Sequence, residues 1–167
     1  MYDKIISIVK SYKIIITQPK EIDAAIFSSS SNLNLLEAQN FAELINSLRC
    51  DEAIIDCPST NIKAYTETLK SLLKFDTTLM CYHKAERFFQ VGAASILAKV
   101  TRDREIEKLQ STIPEPMGSG YPSDPVTKEF LKNNWDKYPD IFRKSWSSYT
   151  AYSDGKFSNK QKNLSDF

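Results

Sequence analysis

Two carboxylates and one tyrosine draw attention by where they stand. Asp56 closes the apolar run Ala53-Ile54-Ile55, and Glu86 follows the strand-like stretch TTLMCYHKA, so each acid is expected where a buried strand gives way to a turn. In open α/β sheets ligands gather at the carboxyl ends of the strands, where carboxylate oxygens can hold a divalent cation. A plainer role suits both acids too. Asp beside Pro58 and Ser59 is ordinary turn chemistry, and Glu86 reads equally as a solvated surface acid. Tyr121 lies in GSGYPSDPVTKEFL, residues 118–131, a stretch with two of the chain's four glycines and two of its seven prolines. Within it Asp124, Pro125 and Thr127 read as N-cap, first helical position and opening turn of a helix.

The elements that must position these residues follow from hydrophobic periodicity. YKIIITQP is an apolar β-branched run stopped by Pro19 and predicts a strand; the serines at 28–31 predict a loop. NLNLLEAQNFAELINSLR places Leu36, Phe41, Leu44, Ile45 and Leu48 on one helical stripe, with Asn34 and Glu37 in capping-box spacing at its start. EAIIDCPST predicts a short buried strand, and NIKAYTETLKSLLK a helix with Ile62, Tyr65, Leu69, Leu72 and Leu73 turned inward. TTLMCYHKAE repeats the strand pattern, and VGAASILAKVTRDREIEKLQ predicts a long helix that turns charged toward its end. The alternation of strands and helices predicts an α/β domain with a largely parallel sheet. MYDKIISIVKS reads as the start of an amphipathic helix, and SDGKFSNK as a flexible linker.

Composition bounds the partners. With 167 residues, 41% hydrophobic and 26% charged, the chain suits one domain with a buried core. The sequence shows neither a run approaching the ~18 apolar residues of a membrane helix nor a signal-peptide pattern, so a cytoplasmic protein without membrane partners is expected. Cys50, Cys57 and Cys81 form no C-x-x-C pair and are expected as reduced, half-buried thiols. The formal net charge of +1 means that any phosphate-binding surface must arise from segregation of charge. No glycine-rich phosphate loop follows any strand, which argues against a general nucleotide-binding module.

AASILAKVTRDREIEKL, then GSGYPSDPVTKEFL, then FRKSW resemble, in order and spacing, the type 2 ribonucleases H, in particular the archaeal ribonuclease HII form. NLNLLEAQNFAELINSL, AIIDCPS and HKAE fall where that family has its helix after the serine loop and its third and fourth catalytic acids. The resemblance runs from about Tyr12 to the end. It implies a ribonuclease H-like α/β fold, here an incomplete mixed or parallel sheet flanked by helices, with a C-terminal helical part. Residues 1–152 would form this portion of the domain and 153–167 a flexible tail.

The family cuts the RNA strand of RNA/DNA hybrids, and at ribonucleotides embedded in DNA, leaving 5′-phosphates and using two divalent ions, Mg²⁺ or Mn²⁺, held by four carboxylates. Two cations a few Å apart repel, and only a cluster of acids holds them together. The resemblance implies Asp56 and Glu86 as metal ligands and catalytic acids, although the family usually has Asp at the position of Glu86. It implies that Tyr121 packs on the sugar of the ribonucleotide. Glycines beside such a residue let the backbone approach a minor groove, where the 2′-hydroxyl separates RNA from DNA. Asn34 would contact the substrate backbone, and Lys99, Arg102, Arg143 and Lys144 are candidate phosphate neighbours, with a solvated face as the alternative for these four. Ser95 and Trp146 read as packing or local support.

One departure matters. Family members carry a strand with D-E-A-G-R-G, which supplies two of the four acids, and this sequence has no such motif. Asp56 and Glu86 alone are too few to hold a metal pair, and absent strands would leave a sheet edge uncovered. A split enzyme completed by another chain bearing those strands is the preferred expectation; a misassigned gene start and a relic that only binds nucleic acid or a clamp are the alternatives. At the C-terminus Gln161, Leu164 and Phe167 have the Q-x-x-h-x-x-a spacing of a clamp-binding peptide, similar to the tail by which archaeal ribonuclease HII docks on the replication sliding clamp.

Overall fold

The structure, a computed structural model, describes residues 1–155. By internal contacts the chain divides into two compact units, one of residues 1–16 with 28–102, the other of residues 17–27 with 103 onward.

The first unit is built on two parallel strands. β1 (Glu52–Asp56) pairs with β2 (Thr78–Tyr82) in a register that sets Ile54 beside Met80 and Asp56 beside Tyr82. The ladder extends one bond further at each end, from Thr78 N–H to Asp51 O and from Cys57 N–H to Tyr82 O, both 2.8 Å. Parallel strands need a crossover, and α4 (Ile62–Ser71) supplies it. Tyr65 and Leu69 of α4 are buried, and Ile62, Leu72 and Leu73 pack around them as the periodicity predicts. Leu69 is fully buried, a contribution of about 1.5–3 kcal/mol relative to an exposed leucine.

α3 (Leu33–Leu48) departs from its expected stripe. The residues it buries are Ala38, Ala42 and Ile45; Phe41 packs at the margin and Leu48 is 38% exposed. Alanine lets two helices approach closely, so the small residues take the buried line and the larger ones flank it. The predicted capping box is also displaced. Asn32 is the N-cap, its Oδ1 accepting from Leu35 N–H at 3.0 Å, while Asn34 lies inside the first turn. Asn46 ties α3 to the end of α4, donating to Leu72 O (3.2 Å) and accepting from Lys74 N–H (2.9 Å). Cys57 is buried more deeply than expected, and all three cysteines are free.

The strand expected over YKIIITQP is not formed. After α1 (Tyr2–Ile8) residues 9–18 adopt neither helix nor strand, and α2 begins at Pro19. A strand exists only by pairing, and β1 and β2 pair with each other. What anchors this stretch is Lys13, whose ammonium reaches Glu43 (2.7 Å) and Ser47 Oγ (2.8 Å) on α3.

The second unit holds α2 (Pro19–Phe27), the last turns of α5 (Phe89–Thr112), α6 (Pro125–Asn134) and α7 (Ser147–Ser153). Its core is Ile113, Met117 and Phe130, wrapped by Leu109, Tyr138, Ile141 and Phe142. Phe130 stacks on Tyr138 with centroids 6.1 Å apart and meets Phe142 at 5.7 Å. Gln110 then fixes the turn after α5: its amide donates to the carbonyls of Ile113 (2.9 Å) and Glu115 (3.0 Å), and its oxygen accepts from Met117 N–H (2.7 Å). Among the described residues no helix is long and apolar enough to cross a membrane.

Candidate functional site

Because β1 and β2 are parallel and in register, their carboxyl ends reach the same rim. Asp56 ends β1; the chain leaving β2 turns through His83 and Lys84 into a short 3₁₀ segment, Ala85–Arg87. Lys84 makes the turn in the left-handed region (φ 54°, ψ 48°), a conformation that costs a non-glycine residue roughly 1 kcal/mol or more. The turn aims Ala85 N–H at Asp56 Oδ1, 3.1 Å away, and buries Ala85 completely. His83 Nδ1 donates to Cys57 O (3.2 Å), a second tie between the strand ends. Glu86 is the next residue after Ala85, so its main chain leaves from the same rim. Its carboxylate is exposed and makes no hydrogen bond or ion pair among the described residues.

Two exposed carboxylates on one rim have the hard oxygen donors that Mg²⁺ and Mn²⁺ prefer. In number they fall short. Among the described residues no third His, Cys, Asp or Glu gathers with them. The pair fits as part of a ligand set and not as a complete cage for two ions.

The Tyr121 loop is constructed differently, with nearly every polar group engaged. Asp124 accepts from Ser119 N–H through Oδ2 (2.7 Å) and from Val126 N–H through Oδ1 (2.9 Å), so it closes the loop and caps α6 together. Thr127 Oγ1 accepts from Gly120 N–H and donates to Met117 O, both at 2.9 Å. Gly118 and Gly120 both have positive φ, 68° and 72°. A Cβ on Gly118 would lie 2.7 Å from Asp124 Oδ2 and 2.8 Å from Thr127 N, so only glycine fits. The bonds from Ser119, followed by that from Val126, hold the Asp124 carboxyl down at about 2. Tyr121, 43% exposed, is presented at the tip of this loop.

The other expected contacts divide. Asn34 and Lys99 are exposed on α3 and α5, Arg102 is half-buried on α5, and Ser95 is half-buried on the same helix. Arg143 is half-buried with its guanidinium carbon 5.0 Å from the centroid of the Trp146 ring, so the tryptophan does give local support. Its Nε is buried without a hydrogen-bond partner among the described residues. Arg143 and Trp146 face a cavity of about 220 Å³ that Gly120, Pro122 and Thr127 of the tyrosine loop also line. The structure thus brings the loop and the Arg143 segment to one cavity within the second unit, while Asp56, Glu86, Asn34, Lys99 and Arg102 belong to the first. Gln161, Leu164 and Phe167 lie outside the described residues.

One residue escaped the sequence reading. Asp23 looks like a surface acid in PKEIDAAIF, yet it is buried, and its carboxylate accepts from Lys144 N–H (2.8 Å) and Ser145 N–H (2.9 Å). Only a pairing across more than a hundred residues of chain reveals it.

A sequence model of the family described as Ribonuclease HII matches residues 3–149. Ribonuclease HII of Pyrococcus abyssi is 36% identical over 173 residues, covering all of this chain and 75% of the relative; that of Pyrococcus horikoshii is 41% identical over 154 residues, covering 89% and 68%. Among solved structures, ribonuclease H2 from Pyrococcus horikoshii OT3 superposes with a TM-score of 0.79 at 39% identity, over 95% of this chain and 75% of that one. A PCNA:RNase HII complex from Archaeoglobus fulgidus gives 0.71 at 31% identity, over 93% and 71%. Sequence and fold agree over nearly the whole described chain, and the chain belongs to the ribonuclease HII family.

Proposed function

We propose that this chain serves an endonuclease that cuts the RNA strand of RNA/DNA hybrids and cuts at ribonucleotides embedded in DNA, leaving 5′-phosphates. The observation that supports the reading is the rim in a chain of this family, where Asp56 Oδ1 accepts from Ala85 N–H and Glu86 is the next residue along. Asp56 and Glu86 would hold Mg²⁺ or Mn²⁺ jointly with acids this sequence does not contain, those of D-E-A-G-R-G strands on a complementary chain. Bound there, the metal supplies charge stabilisation and an activated water. Tyr121 packs against the ribose on a loop too stiff to fold away from it. Arg143 and Lys144, with Asn34, Lys99 and Arg102, contact the phosphate backbone. Gln161, Leu164 and Phe167 dock on a sliding clamp, a role in keeping with the Archaeoglobus fulgidus neighbour solved with PCNA.

The test is cleavage of a duplex containing one ribonucleotide, with Mg²⁺ or Mn²⁺, by this chain alone and mixed with a fragment bearing the D-E-A-G-R-G strands. Metal-dependent cleavage in the mixture, lowered about a thousandfold or more by Asp56→Asn, supports the reading. Association of the two chains without cleavage sinks the enzyme and leaves a nucleic-acid- or clamp-binding adaptor.

A further inference from the structure

We infer that Asp23 is the positioning residue of the phosphate-contacting segment Phe142–Trp146, acting on the substrate through Arg143 and Lys144. The inference rests on the nuclease reading and extends it to a residue that touches no substrate.

The geometry is specific. Asp23 is 8% exposed, and each of its oxygens takes one main-chain N–H from consecutive residues, Lys144 at 2.8 Å and Ser145 at 2.9 Å. A carboxylate is the side chain that offers two acceptors in one plane, so it can fix the peptide plane between those residues and with it the directions in which neighbouring side chains leave. Trp146 N–H bonds back to Arg143 O (3.1 Å), closing the segment into a turn, and the Arg143 guanidinium lies over the Trp146 ring. Lys144, its main-chain N–H held by Asp23, is an exposed residue. Burial alone would raise the Asp23 carboxyl; the bonds from Ser145 and Lys144 and the nearby Arg143 charge outweigh it and hold the acid below its ordinary range, so it works as an anion.

Its charge makes the claim testable by sign. Asp23→Asn removes one negative charge, so simple electrostatics predicts tighter binding of a nucleic acid. Positioning predicts the reverse, because the amide nitrogen of Asn cannot accept from a main-chain N–H and the segment loosens. The experiment is equilibrium binding of an RNA/DNA hybrid to the full chain over a salt series, for wild type, Asp23→Asn, the charge-conserving Asp23→Glu, Arg143→Gln/Lys144→Gln and the triple variant. Expected are roughly tenfold weaker binding for both Asp23 variants and a salt slope lower by up to about 0.9 for each of the two phosphates that Arg143 and Lys144 no longer neutralise. In the Arg143→Gln/Lys144→Gln background the further loss from Asp23→Asn should vanish. Unchanged or tighter binding, or an undiminished loss in that background, overturns the inference and leaves the nuclease reading intact. Failure of both Asp23 variants to fold also overturns it, since Asp23 would then serve the fold. A wild-type chain that binds no hybrid either alone or mixed with the fragment bearing the D-E-A-G-R-G strands removes both readings together.

Discussion

The carboxylate rim and the tyrosine loop are made on opposite plans. At the rim, strand pairing brings Asp56 and Glu86 to one edge, Ala85 N–H engages one oxygen of Asp56, and Glu86 has no partner among the described residues. In the loop, Asp124 and Thr127 together close four hydrogen bonds across ten residues, with two glycines in the left-handed region. Under the proposed function the difference follows from what each would have to do. Carboxylates that bind a cation must keep lone pairs open, and these two would need further acids beside them to hold a metal pair. A ring that reads a sugar face needs a fixed backbone beneath it, and the chain can supply that from its own side chains. One region leaves carboxylate oxygens open; the other closes its hydrogen bonds from its own side chains.

That contrast predicts unequal responses to mutation. The largest effect is expected at the rim and in activity alone: Asp56→Asn should abolish cleavage by the completed enzyme yet leave the melting temperature within a few degrees, about 2–4 °C per kcal/mol for a chain of this size. A large loss of stability on that substitution would show that the rim is a structural element after all. Next comes Gly118→Ala, which forces a Cβ to within 2.8 Å of Asp124 and Thr127 at a positive φ. It should cost about 1–3 kcal/mol in denaturant unfolding and lower cleavage at a single ribonucleotide as much as Tyr121→Ala does. If Gly118→Ala leaves that cleavage intact, the loop is not the reader.

Acid should open the loop by a smaller step. The Asp124 carboxyl sits at about 2 against an ordinary 3.8, so its contribution is fully present above about 3.8 and is lost as the pH falls through 2. The Ser119 and Val126 amide resonances should titrate together over that window. Independent titration would mean that the two bonds do not share one carboxylate. The smallest effect belongs to the core around β1 and α4, where the Tyr65 hydroxyl is buried without a partner among the described residues. Burial is the main cause holding that phenol far above its ordinary range. Tyr65→Phe should be neutral or stabilising by up to about 1 kcal/mol in thermal unfolding, since it removes an unsatisfied donor and keeps the ring. Destabilisation would reveal a partner for that hydroxyl.

The loop was legible in the sequence because its determinants are local. Asp124, Pro125 and Thr127 act on atoms within ten residues, and the glycine count marks where positive φ is required. β1, β2, α4 and α5 were legible for the same reason, as apolar periodicity and turn signals are short-range. The stripe of α3 was misread because periodicity records which residues are apolar and cannot say how close a neighbour comes; Ala38 and Ala42 are buried where tight packing favours the smaller side chain. The expected strand in YKIIITQP failed since β propensity does not supply a partner, and pairing is a property of the assembled sheet. Asp23 was invisible for a stronger reason. Nothing near it in the chain distinguishes it from a solvated acid, and only the tertiary fold carries the Lys144 and Ser145 amides to its two oxygens. By itself the sequence determined the residue types, the turns and the caps, whose energies are settled within a few residues; the tertiary structure alone decided which of the remaining charges face water and which are buried against a distant main chain.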